Sequence, residues 1–129
     1  MAKSKINIVR NYFLAYSLPA LWAGVIFFLS NQEVLPGFTV SLYDFVFKKA
    51  AHMFVYAVLY ILLFRAYQKT NHGKLTKKHY FFPILISFVY ALSDELHQSL
   101  IPGRHPTFRD AGYDMLGVTT VLLYQLKLL

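Results

Sequence analysis

Uncharged apolar stretches of unequal length divide this chain, and only the first is as long as a membrane crossing requires. Residues 11–32 contain no charge. That run meets the roughly 20 mostly apolar residues a helix needs to cross a hydrocarbon core of about 30 Å. Trp22 lies inside it, and Pro19 predicts a kink. Lys3, Lys5 and Arg10 precede it, a pattern that secretory signals share. A retained span is expected, because no small-x-small cleavage site follows Leu29 and the downstream sequence is equally hydrophobic. Three further helices are predicted over 48–65, 80–98 and 108–128. In each of these the strictly uncharged part is too short to cross. The shortfall closes only if His52, Asp94, Glu95, Asp110 and Asp114 are drawn into the helices. Ionisable groups at such depth face the protein interior and mark a functional site by default.

Composition agrees with the pattern. The 129 residues are 57% hydrophobic and 15% charged, against about 45–50% and about 25% in soluble domains. The expectation is one all-α domain over 1–129, a compact bundle of four transmembrane helices. No internal repeat or low-complexity segment interrupts it. The net charge of +7 speaks for helix orientation and anionic headgroups, not for a nucleic-acid partner. The absence of cysteine excludes thiolate nucleophiles, disulfides and Cys-ligated zinc.

Lysine and arginine counts set the expected orientation. Lys3, Lys5 and Arg10 precede the first span, Arg65, Lys69, Lys74, Lys77 and Lys78 crowd the middle connection, and Lys127 closes the chain. Both termini are therefore expected in the cytoplasm, with 33–47 and 99–107 outside. The acidic-histidine cluster then lies on the extracytoplasmic side. Lys48, Lys49, Arg104 and Arg109 sit on the wrong side for a charge rule, and pairing with nearby acids is the expected reason.

Positions three or four apart share a helix face. Lys48, His52 and Tyr56 form one stripe with Lys49 beside it. Ser87, Tyr90 or Ala91, Asp94, and His97 or Gln98 form a second, with Glu95 about a quarter-turn away. Asp110, Asp114, Gly117 and Tyr124 form a third, where Gly117 allows a close helix approach. Three polar stripes at one end should face one another, since lipid cannot solvate them.

Several segments resemble the VanZ-like family of small bacterial membrane proteins, named after a member linked to glycopeptide resistance. They are Ser30-Asn31-Gln32, the stretch from Lys49 through His52 to Tyr56, and Asp94-Glu95-Leu96-His97-Gln98 with Pro102-Gly103-Arg104. Asp110, position 114 and Gly117 continue the likeness. The resemblance implies a four-helix membrane fold and a cell-envelope role, and it supplies no reaction. Position 114, typically Asn in the family, is Asp114 here, which adds a carboxylate.

Three chemical readings compete. In a structural network, Lys49, Arg104 and Arg109 neutralise Asp94, Glu95, Asp110 and Asp114. In an acid–base or phosphate-handling site, Glu95, His97, Asp94 and His52 are the catalytic candidates. Lys49, Arg104, Gln98, Tyr56, Asp110 and Asp114 would then contact an isoprenoid- or phosphate-bearing membrane lipid, with Lys48 joining the clamp. The longer Lys-Arg-Pro and Ser-Gly-His elements of membrane lipid phosphatases are absent. In a divalent-metal site, Asp94, His97, Asp110, Asp114 and His52 supply oxygen and nitrogen donors. Arg104 and Lys49 crowd that end and oppose a metal. A non-catalytic lipid-binding or accessory protein is the alternative to an enzyme. The remaining histidines, His72, His79 and His105, are expected in solvated or headgroup-facing connections. Phe38 to Phe47 is expected to lie along the outer interface after a turn at Pro36-Gly37.

Overall fold

The computed structural model describes residues 2–32, 41–104 and 107–129, with side chains from residue 6 onward. The described residues form four helices and no strand: α1 (Ala2–Ser30), α2 (Ser41–Thr70), α3 (Lys77–Gln98) and α4 (Phe108–Gln125). The turn expected at Pro36-Gly37 and the loop position of His105 lie outside the described residues.

Two helical segments, Ile6–Ser30 and Ser41–Thr70, are long and apolar enough to cross a membrane. At 22 and 18 residues, α3 and α4 have the length for a crossing or nearly so, at about 1.5 Å per residue. Their composition is what differs. Lys77, Lys78, Asp94 and Glu95 lie within α3, and Arg109, Asp110 and Asp114 within α4. The helix expected from residue 48 begins instead at Ser41, so 41–47 continue α2. Asp44 in its first turn bonds Lys48 at 2.7 Å, an i,i+4 pair that favours the extra turns.

The central helix is α2, which packs against each of the other three. Tyr56, Leu59, Tyr60 and Leu63 on its buried stripe meet Ile26 of α1, Ala91 of α3, and Ala111 and Val118 of α4. Small residues on α3 and α4 let the two tyrosine rings occupy the centre. Two hydrogen bonds tie α1 to this core. Trp22 Nε1 donates to the Val55 carbonyl at 2.8 Å, and the Tyr90 hydroxyl donates to the Ala23 carbonyl at 2.6 Å. The outward faces are strongly apolar, with Phe13 at 72%, Leu21 at 68% and Leu96 at 69% exposure. Contiguous surface of this kind suits lipid and not water.

The second and fourth helices run parallel and touch at their backbones. A Cβ added to Gly117 would collide with the Met53 carbonyl and lie 2.8 Å from its Cα. Tyr124 was expected on this same stripe, but it is 73% exposed. Gln125 takes the place instead, accepting the Tyr60 hydroxyl at 2.8 Å. At the other junction, His79 is buried and not solvated. Its ring accepts the Thr76 backbone N–H at 3.1 Å through Nδ1, and Nε2 lies 3.2 Å from the Asn71 carbonyl. It is thereby part of the α3 N-terminal cap.

Gly117→Ala should lower the melting temperature in mild detergent, since overpacking costs about 1–3 kcal/mol, occasionally more. Gly112→Ala, where an added Cβ meets nothing within 4 Å, should hold or gain about 0.5–1 kcal/mol. Equal melting points for the two variants would refute the close α2–α4 contact.

Candidate functional site

Helix register brings the polar stripes to one end of the bundle. On α2, Lys49 and His52 are one turn apart, as are Asp110 and Asp114 on α4. Parallel packing turns these into two rungs. Lys49 forms an ion pair with Asp110, and its ammonium lies 5.3 Å from the Tyr113 ring centre and 5.5 Å from that of Phe45. His52 Nδ1 lies 2.9 Å from Asp114 Oδ1, with Asp114 wholly buried. The Gly117–Met53 contact lies just beyond these rungs. Asp110 also accepts from Thr107 at 3.2 Å through both the backbone N–H and the hydroxyl, which caps α4. The added carboxylate at position 114 therefore serves as a partner for His52.

A third set of contacts joins α3 to α1. Gln98 Nε2 donates to Asp94 Oδ2 at 3.0 Å and to Ser30 Oγ at 3.3 Å. The Tyr56 hydroxyl lies near Asp94 without closing a hydrogen bond. Arg104 behaves differently from its expected role of neutralising the acids. Nε donates to the Gln32 carbonyl at 3.0 Å, and Nη2 donates to the Leu29 carbonyl at 3.1 Å. A guanidinium in this position satisfies the orphan carbonyls and the negative dipole end of α1. Arg109, also expected to neutralise an acid, is exposed and forms no ion pair among the described residues.

Between α1, α2 and α3 lies a cavity of about 260 Å³. Ile26, Leu29, Phe47, Ala51 and Val55 form its apolar part. Ser30, Lys48, His52, Tyr56, Asp94, Gln98 and Arg104 form its polar part. The sequence reading picked out most of these polar residues. Ser30 carried no assigned role, although a serine ending an uncharged run was a usable signal. The apolar wall had no signal, because its residues have the same types as any packing position.

Glu95 and His97, expected as a catalytic pair, are not brought together. Two residues along a helix turn the side chain by about 200°. His97 stacks on Phe27 of α1 with ring centres 4.7 Å apart. Glu95 lines a separate cleft with Leu92, Leu96, Ser99, Thr107 and Phe108. It is 7% exposed, and neither carboxylate oxygen has a hydrogen-bond partner. Nor do the candidate donors Asp94, His97, Asp110, Asp114 and His52 assemble as a metal site. No group of three or more His, Asp or Glu arranged to hold a metal ion occurs among the described residues.

The chain matches the VanZ/LLP1 family over residues 5–127, and it belongs to that family. No curated protein and no solved structure matches it.

The two buried acids should respond oppositely to substitution. Asp114→Ala leaves His52 without its partner, and breaking a buried pair costs about 3–5 kcal/mol. Glu95→Gln removes a charge that no group offsets, so the melting temperature should hold or rise. Thermal unfolding in one mild detergent reads both. A collapse of Glu95→Gln would mean that the carboxylate has a structural partner after all.

Proposed function

We propose that this VanZ/LLP1 family protein is a multi-pass protein of the bacterial cell membrane that holds a phosphate-bearing lipid. The site is the cavity between α1, α2 and α3. The observation that carries the reading is the two-part lining of that cavity. Ile26, Leu29, Phe47, Ala51 and Val55 offer an apolar surface for a chain, and Lys48 and Arg104 line the same space with cations. Ligand sites commonly combine mostly apolar walls with a few placed polar groups. A lipid phosphate is the natural occupant, since hydrogen bonds between ionised partners are about twice as strong as neutral ones.

All four helices are taken as spans in this reading. The acids of α3 and α4 that interrupt their apolar runs are turned inward, and two of them, Asp110 and Asp114, are paired with groups of α2. The lysines between α2 and α3 face the cytoplasm, which puts the cavity at the extracytoplasmic end. An occupant there would be an outer-leaflet lipid or a lipid-linked wall precursor. Holding such a precursor would change how glycopeptide antibiotics meet their target, which is the link the family resemblance implies.

Turnover is the second reading, and the unpartnered carboxylate of Glu95 is what favours it. A buried, unsatisfied acid is suited to general acid–base work. In that case Glu95→Gln would abolish phosphate release from polyprenyl phosphates by orders of magnitude. For a binding protein the same change would leave lipid retention nearly intact, because Glu95 lies outside the cavity.

Photoreactive polyprenyl phosphate should crosslink to the α1 and α2 walls of the purified protein in preference to the matching polyprenol. The double variant Lys48→Gln, Arg104→Gln should lose at least about tenfold in retention, since one hydrogen bond to a charged group contributes about 1.5–3 kcal/mol. Equal crosslinking of phosphate and alcohol would sink the reading.

A further inference from the structure

Asp94 and Arg104 both line this cavity, and among the described residues neither forms an ion pair. Asp94 is 5% exposed and accepts from Gln98, a neutral amide, at 3.0 Å. Arg104 donates to the backbone carbonyls of Leu29 and Gln32, also neutral groups. No ion pair joins Asp94 to Arg104, and neither has another among the described residues. Exposed Arg109 likewise forms no ion pair among the described residues, whereas the remaining basic groups at this end differ. Lys48 is matched by Asp44, Lys49 by Asp110, and His52 by Asp114. Pairing therefore holds for Lys48, Lys49 and His52 and lapses at Asp94 and Arg104, which border one space, as it does at Glu95 in the separate cleft.

We propose, building on the lipid reading above, that the headgroup held in this cavity is zwitterionic. Its phosphate oxygens meet Arg104 and its ammonium meets Asp94. The occupant would then be an amphiphile carrying phosphate and amine on one head, with its chain along Ile26, Leu29, Phe47, Ala51 and Val55. Each charge of the ligand supplies what one side chain lacks, which restores pairing at both groups. The same arrangement ranks neighbouring chemistries below the zwitterion. A headgroup of phosphate alone brings a second anion into a cavity that already holds the Asp94 carboxylate. One of amine alone brings a second cation toward Arg104. Discrimination by such repulsion needs no further contact. Asp94 is also held for the task. The Gln98 amide that fixes it is anchored in turn on Ser30 of α1, so the carboxylate is oriented before any ligand arrives.

Trp22 provides the readout. It is the one tryptophan of the chain, and its indole donates to the carbonyl of Val55, a residue of the cavity wall. Lipids with brominated chains in the cavity should quench its fluorescence. Three such lipids with identical chains would be titrated into the full-length protein in neutral detergent. Their heads are phosphoethanolamine, phosphate alone, and amine alone. The phosphoethanolamine lipid should quench at concentrations at least about tenfold below either of the others, as one added charge-assisted hydrogen bond implies. Asp94→Asn should erase its advantage over the phosphate-only lipid. Arg104→Gln should erase its advantage over the amine-only lipid. Comparing the lipids on the unaltered protein keeps the test valid even where a variant fails to fold.

Equal quenching by the phosphate-only and phosphoethanolamine lipids would overturn the zwitterion and leave the lipid site standing. No specific quenching by any of the three would remove the site and the zwitterion together. Chain-free glycerophosphoethanolamine separates the two possible sources of the head. Protection of Trp22 by that compound would support a water-soluble zwitterion as the occupant. Failure to protect, with the lipid still quenching, would support the membrane lipid.

Discussion

Charge taken out of water must find a partner, and in this bundle the partners lie on different helices. That constraint makes the spacing between helices a chemical matter as well as a packing one. Gly117 lets the α4 backbone rest on the carbonyl of Met53, and at that separation Asp114 reaches His52 and Asp110 reaches Lys49. A side chain at position 117 would push the helices apart and lengthen both ionic rungs. Because bare ions in a low-dielectric interior cost several kcal/mol each even after relaxation, this one backbone contact underlies most of the polar architecture.

The first helix joins the rest on different terms. It meets α2 and α3 through single hydrogen bonds from Trp22 and Tyr90, one of them to its own backbone, and through the Gln98–Ser30 contact. Its last turn is held by Arg104 from the α3–α4 connection. The cavity lies along this less tightly bound side, between α1 and the ion-paired core. Opening it would require fewer strong contacts to part than opening α2 from α4. A cavity beside the least cohesive element of a fold combines stability elsewhere with ease of access.

Helix number and helix type were legible in the sequence, because long apolar runs broken by basic connections admit few other arrangements. The inward polar stripes were legible too, from positions three and four apart. That Lys49 would meet one of the four acids followed from the rule that buried opposites pair, but Asp110 as that acid did not. Arg104 did not follow, since its acceptors are backbone carbonyls that every residue carries and no residue type advertises. Glu95 and His97 looked like a pair because they are neighbours in a motif, yet a helix turns such neighbours onto different faces. The start of α2 was misjudged for a related reason. Lys48 reads as the end of an apolar run, and only its link to Asp44 one turn earlier shows that the helix continues through it.

The hold that Arg104 exerts on α1 has an evolutionary corollary. Its guanidinium grips main-chain oxygens at positions 29 and 32, which survive any substitution there that preserves the helix end. The tie itself is therefore indifferent to which side chains stand at positions 29 and 32. The arginine has no such latitude, because a shorter or neutral side chain cannot span to both oxygens. Selection on this tie acts on one partner alone, and covariation between the two ends would not reveal that they touch.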